Sequence, residues 1–265
     1  LSAARVPLHF AHANGFPGAC YRKLFSCLAA DFDVGYLPVS GHDPRFPVTD
    51  GWPLLVEELI ASVAGTGQAP VLGVGHSLGG YLAYLAALRR PELFRGIILL
   101  DAPILGAFRG SALQLVKRIG LIDRVTPAGT TKSRRREWSS LATALEHFRR
   151  KLLFRDFDAD CLWDYVRYGT RPASGGGVEL IFDPQVEYRI YRTFPHDLAA
   201  AERRLAVPAG FIGGRQSMVV AQSGLAATRR RLRTHLIDGG HLFPFERPLH
   251  AALAIRAMAE TLSGL

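Results

Sequence analysis

Residues Val71–Ala86 read VLGVGHSLGGYLAYLA, and the two halves of this stretch follow different rules. Val71 to Gly75 is a short apolar run of the kind that forms a strand buried on both faces, whereas Tyr81 onward suits a helix. Between them Gly75, His76, Ser77, Leu78 and Gly79 spell GxSxG. A serine displayed on a sharp strand-to-helix turn needs near-absent side chains two positions before and after it, or the backbone could not fold so tightly. Its hydroxyl is then exposed, and the amides that open the helix face any negative charge developing beside it. Two other readings compete. A GxSxG pentapeptide arises by chance as an ordinary turn, and a glycine turn between strand and helix also binds dinucleotide pyrophosphates. The dinucleotide pattern fails at its third glycine, which would fall on Leu78. Ser77 is therefore read as a nucleophile.

Outward from this stretch, short apolar runs alternate with helical patterns, as a parallel sheet covered on both faces requires. PLHFAHA (7–13) and DVGYLPV (33–39) precede a helix over WPLLVEELIASVAG (52–65). The strand PVLGVG (70–75), the helix YLAYLAALRR (81–90) and the strand GIILLD (96–101) follow. After Pro103 the rhythm changes. Residues 104–200 are arginine-rich and helical in pattern, with scattered aromatics (Phe108, Trp138, Phe148, Trp163, Tyr168), an SGGG break at 174–177 and few convincing strands. The sheet rhythm resumes with VPAGFIGG (207–214) and RTHLI (233–237), and an amphipathic helix runs from about Leu249 to Leu262. The expected organisation is an α/β core of residues 1–103 and 201–265, with a helical cap inserted at 104–200.

Bulk properties narrow the function classes. The chain has 265 residues, 48% of them hydrophobic, enough for a sizeable core and incompatible with disorder. No unbroken apolar stretch is long enough for a membrane span. Three cysteines without metal-ligand spacing argue against a disulfide framework and predict a reducing, cytoplasmic setting. The first residue is Leu1, with neither a start methionine nor a signal-peptide pattern ahead of the first strand, as if strands preceding it belonged to a longer chain. The net charge of +9 includes two RRR runs, at 134–136 and 229–231, which read as solvated faces rather than a nucleic-acid surface, since no aromatic interleaving or binding motif accompanies them.

A serine hydroxyl is a weak nucleophile at neutral pH, so a histidine must take its proton and a carboxylate must orient that histidine. Of nine histidines, His241 in DGGHLFPFERP is the best placed, after the last strand and before the last helix. His76, fixed beside the serine with its side chain directed away, reads as a packing residue. An oxyanion hole would use the amide of Leu78 and one from the loop HANGFPG (12–18), where Gly15 allows close approach and Phe16 is the expected donor.

With these motifs in hand, the chain resembles the α/β-hydrolase superfamily, in particular its serine-nucleophile members with a helical cap. HANGFPG looks like its HG loop, with an NG pair in place of HG, GHSLGG like its nucleophile elbow and GGHLFPFERP like its histidine loop. The resemblance implies the α/β-hydrolase fold, hydrolysis through an acyl-enzyme, and no metal or organic cofactor. It carries the nucleophile role onto Ser77, the base onto His241 and the oxyanion donors onto Leu78 and Phe16. Ser77 excludes the branches that use an aspartate at the elbow. In most members the acid follows the strand equivalent to VPAGFIGG, near Ser217, yet no Asp or Glu lies between Arg215 and Thr234. Asp101, at the end of GIILLD, is the expected acid, with Asp197 or Glu202 of the cap, or a dyad without acid, as alternatives. The implied function is cleavage of a carboxylic ester of a largely apolar small molecule, with Phe243 and the cap aromatics lining its pocket. Thioesters, lactones and carbon–carbon bonds fit the same residues. A hydrolase-like protein that binds a ligand without turnover is the alternative of another class.

Overall fold

The computed structural model describes residues 4–106, 111–112, 114, 128–131, 134–195 and 205–263. Six strands form the central sheet: β1 (Val6–Ala11), β2 (Phe32–Tyr36), β3 (Val71–His76), β4 (Phe94–Leu100), β8 (Ala209–Gly214) and β9 (Arg233–Ile237). Their order is β2-β1-β3-β4-β8-β9, and every pairing among them is parallel. All six were legible as apolar runs. Alternation within each run splits the core in two: Leu72, Val74, Ile98 and Leu100 face one way, Val71, Ile97 and Leu99 the other.

Helices α1 (Arg22–Leu28) and α8 (Pro248–Ser263) cover the first face, and α2 (Pro53–Gly65) and α3 (Leu78–Arg89) the second. Because every strand runs the same way, all the loops that follow the strands emerge on one edge of the sheet. Open parallel sheets build their sites on that edge.

The described residues between β4 and β8 form a further layer that meets that edge at Ser77, where Phe148, Phe154 and Tyr165 line a shared cavity and pack into the same cluster as Phe16 and Phe245. It contains α4 (Leu141–Arg149), α5 (Ala159–Gly169) and α6 (Pro184–Arg192), each started by a side chain that caps free amides. Ser140 and Thr143 make a reciprocal capping box, while Asp158 and Asp183 accept from the first turns of α5 and α6. The layer also holds a small antiparallel sheet, β5 (Glu137–Trp138), β7 (Val178–Leu180) and β6 (Thr170–Pro172), in the order β5-β7-β6. The expectation of a helical segment with few convincing strands did not include it, since strands of two or three residues are too short to show a period. The SGGG run is the connection between β6 and β7. The expected boundary at 200 lies outside the described residues. No described helix is long and apolar enough to cross a membrane.

Candidate active site

Ser77 stands between β3 and α3 with φ 51° and ψ −112°, a left-handed conformation that costs a non-glycine residue on the order of 1–3 kcal/mol. Its amide donates to the Leu100 carbonyl of β4 at 2.8 Å, and the Gly79 amide donates to His12 at 3.1 Å, so both neighbouring strands hold the turn. The flanking glycines are sterically required. A Cβ on Gly75 would lie 2.2 Å from the Gly79 carbonyl oxygen, and one on Gly79 would lie 2.0 Å from that of Ala11.

His241, on the loop after β9, places Nε2 3.1 Å from Ser77 Oγ and Nδ1 2.7 Å from Asp101 Oδ2. Asp101 follows β4 directly, at φ 48°, with its amide bonded to the Ile212 carbonyl of β8 at 2.8 Å. Its carboxylate has no exposed surface, so it needs donors. The Gly214 amide donates to Oδ1 at 2.8 Å, and the Ser217 hydroxyl donates to Oδ2 alongside the histidine. A carboxylate only accepts, which puts the ring proton on Nδ1 and leaves the Nε2 lone pair facing Ser77. The structure thus brings Ser77, His241 and Asp101 together. Asp197 and Glu202 lie outside the described residues.

The loop after β1, HANGFPG, departs from expectation at Phe16. Its amide donates to the Ala13 carbonyl at 3.0 Å, closing a type II turn with Gly15 at φ 80°, so this N–H is engaged inside the loop. The Ala13 amide is also engaged, by the Tyr21 hydroxyl at 3.1 Å. Among the described residues, nothing accepts from the amides of Asn14 and Leu78. Asn14 was missed in the sequence, although NG was the available signal: a glycine at the third position of such a turn draws the fourth amide back onto the first carbonyl.

Ser77 opens into a cavity of about 680 Å³. Phe16, Phe148, Phe154, Tyr165 and Leu242 line an apolar side. Phe243, expected in this wall, is instead buried in the core with no exposed surface, and Trp163 points outward. Phe108 falls outside the described residues. The polar side carries Arg134, Glu187 and Tyr191. Arg134 donates to Glu187 Oε2 at 2.6 Å and to the Tyr165 hydroxyl at 2.9 Å. Burial pushes the Glu187 carboxyl up, against the pull of the guanidinium. Arg134 thus leaves the solvated face assigned to its RRR run, whereas Arg135 and Arg136 remain exposed. Among the described residues, no group of three or more His, Cys, Asp or Glu side chains is placed to hold a metal ion.

Similar architectures recur among solved structures. An E-2-(acetamidomethylene)succinate hydrolase superposes with a TM-score of 0.76 at 19% identity, covering 97% of this chain and 91% of that one. An esterase of M. tuberculosis gives 0.72 at 22% identity over 97% and 86% of the two chains. The thioesterase domain of the curacin biosynthetic pathway gives 0.70 at 17% identity over 97% and 92%. At such identities the likeness is one of fold. A search of curated protein sequences finds no significant match. The family description "alpha/beta hydrolase family" matches residues 10–255, from the first strand of the sheet into its last helix. The chain therefore belongs to the alpha/beta hydrolase family.

Proposed function

We propose that the protein is a serine hydrolase that cleaves a carboxylic ester, or a related acyl bond, of a largely apolar small molecule through an acyl-enzyme. The observation that carries this reading is the hydrogen-bonded line Ser77 Oγ, His241 Nε2 and Nδ1, Asp101 Oδ2. His241 Nε2 takes the hydroxyl proton as Ser77 Oγ attacks the carbonyl carbon, and the carbonyl π pair moves onto oxygen. The amides of Leu78 and Asn14, in place of Phe16, stabilise that oxyanion, and buried Asp101 stabilises the imidazolium. Collapse expels the alcohol, which leaves with the proton from Nε2. Water then repeats the sequence on the acyl-enzyme and releases the acid. The aromatic side of the cavity, formed by Phe148, Phe154 and Tyr165 of the layer read as a cap together with Phe16 of the core, favours an apolar acyl or alcohol group.

A carboxylate 2.7 Å from His241 supports the catalytic reading over a hydrolase-like protein that binds a ligand without turnover. A panel of p-nitrophenyl esters, an acyl thioester and a lactone, assayed with wild type beside Ser77→Ala, tests the proposal and sorts the bond. Hydrolysis abolished by the substitution, with a fluorophosphonate adduct on Ser77 by mass spectrometry, is the expected result. Neither hydrolysis nor adduct in the wild type would reject it.

A further inference from the structure

The loop after β1 carries the Asn14 amide and the loop after β9 carries His241, yet β3, β4 and β8 lie between these strands. At the usual strand spacing, four steps separate β1 from β9 by about 19 Å. No sheet hydrogen bond therefore sets the two loops relative to each other. A buried chain of side chains does join them. The Ala13 amide contacts the Tyr21 hydroxyl at 3.1 Å, Tyr21 Oη contacts His76 Nδ1 at 2.7 Å, and His76 Nε2 contacts the His241 carbonyl at 2.8 Å. Ala13, Tyr21 and His76 are all buried.

The donors in this chain have only one arrangement. A carbonyl only accepts, so His76 Nε2 carries a proton. Burial lowers the His76 pKa to about 3, so the ring is neutral and Nδ1 is bare. Tyr21 must then donate to Nδ1, and its oxygen accepts from the Ala13 amide. Every polar atom is satisfied, and reversing any one bond leaves another without a partner. The Tyr21 ring is held independently, against Phe245 at 4.3 Å and Phe10 at 4.6 Å, so the hydroxyl can be removed without removing the packing.

We propose that Tyr21 and His76 are positioning residues that align the loop bearing the oxyanion donor with the backbone of His241, through the chain Ala13 N–H, Tyr21 O–H, His76 N–H, His241 carbonyl. This inference rests on the hydrolase reading of the same site. The sequence placed His76 as packing alone, because neither hydrogen-bond partner is near it in the chain.

The test measures kcat per fluorophosphonate-labelled site, so that a partly folded variant still reports, on the best ester of the panel. Tyr21→Phe removes the hydroxyl. His76→Asn keeps an acceptor toward Tyr21 but not the donor to His241, and His76→Gln keeps that donor. Tyr21→Phe and His76→Asn are each expected to lower kcat per site roughly tenfold or more with KM within about twofold, as loss of alignment does. Affinity for a boronic acid mimic of the tetrahedral intermediate should fall by the same factor, and His76→Gln should retain more activity than His76→Asn. The double variant Tyr21→Phe/His76→Asn should lie within about twofold of the worse single, because one chain can be broken only once. Wild-type kcat per labelled site in either single variant, or losses that multiply in the double, would overturn the chain while the hydrolase reading stood. A wild type that neither labels nor hydrolyses would defeat both.

Discussion

Asp101 and Ser217 occupy the two strand ends at which the acid of such a site could stand, and here they share one hydrogen bond. The carboxylate comes from the loop after β4, and the serine that stands where an acid was sought after β8 donates to it. On the proposed mechanism, Asp101→Asn lowers kcat by on the order of 10⁴-fold, since the amide cannot hold the same tautomer, and circular dichroism should show the fold retained. Ser217→Ala removes one donor from a buried charge and also the cap of α7 (Met218–Ser223), whose Val220 amide bonds the hydroxyl at 3.3 Å. Loss of about 2 kcal/mol of stability is expected, with roughly tenfold lower kcat, while Ser217→Thr retains most of both. Unfolding in urea together with kcat on one ester would show whether the two effects travel together. Adding Ser217→Asp to an Asp101→Ser background should recover at least part of kcat, because position 217 already reaches the oxygen that faces His241. An inactive, folded double variant would place that position out of range of the histidine.

At the level of elements, two contacts set how the parts sit together. α3 lies so close to β1 that Gly79→Ala drives a Cβ against the Ala11 carbonyl, which the backbone can relieve only by moving the helix that carries Leu78. Overpacking of this kind costs about 1–3 kcal/mol, so the melting temperature should fall, and kcat with it. In the layer above, Arg134 joins the start of β5 to α6 through Glu187, a pair with little exposed surface on the glutamate side. Removing only the cation leaves a buried carboxylate unpaired. Arg134→Met should therefore destabilise by roughly 3–5 kcal/mol, and Arg134→Met/Glu187→Leu by distinctly less, because the pair removed together leaves no isolated charge. Urea titrations of the two variants make the comparison, and equal losses would mean that the pair acts only through its packing.

For the molecule as a whole, burial of histidines dictates the response to acid. His9 and His12 are lowered to about 4 and His76 to about 3, all by burial, against an ordinary value near 6.5. Between these values the unfolded chain binds protons that the native one refuses, so stability is present above about pH 6.5 and is lost as pH falls toward 4. Three such groups give a slope of up to about 4 kcal/mol per pH unit in that window. Glu58 works the other way: burial raises it to about 7, so between its unfolded value and neutrality the native state holds one extra proton, and together with Glu187 and Glu246, also raised by burial, it offsets part of the slope. Urea midpoints at pH 7 and pH 5 should show a marked loss, less steep in His9→Gln. Much of this molecule could be read in one dimension. The six strands, the elbow around Ser77 and the roles proposed for His241 and Asp101 were legible, because strand periodicity, a strained turn and the end of a strand leave local signatures in residue type. The short strands of the inserted layer were not, being too short to show a period, and the local signal of Asn14-Gly15 for the engagement of the Phe16 amide went unread. The pairing of Arg134 with Glu187 and the links from Tyr21 through His76 to His241 depend on which groups remain unpaired once distant segments meet. Local sequence determined where functional side chains stand on the chain, and the tertiary structure alone decided which of them share a hydrogen bond, since buried donors and acceptors are matched by proximity in space.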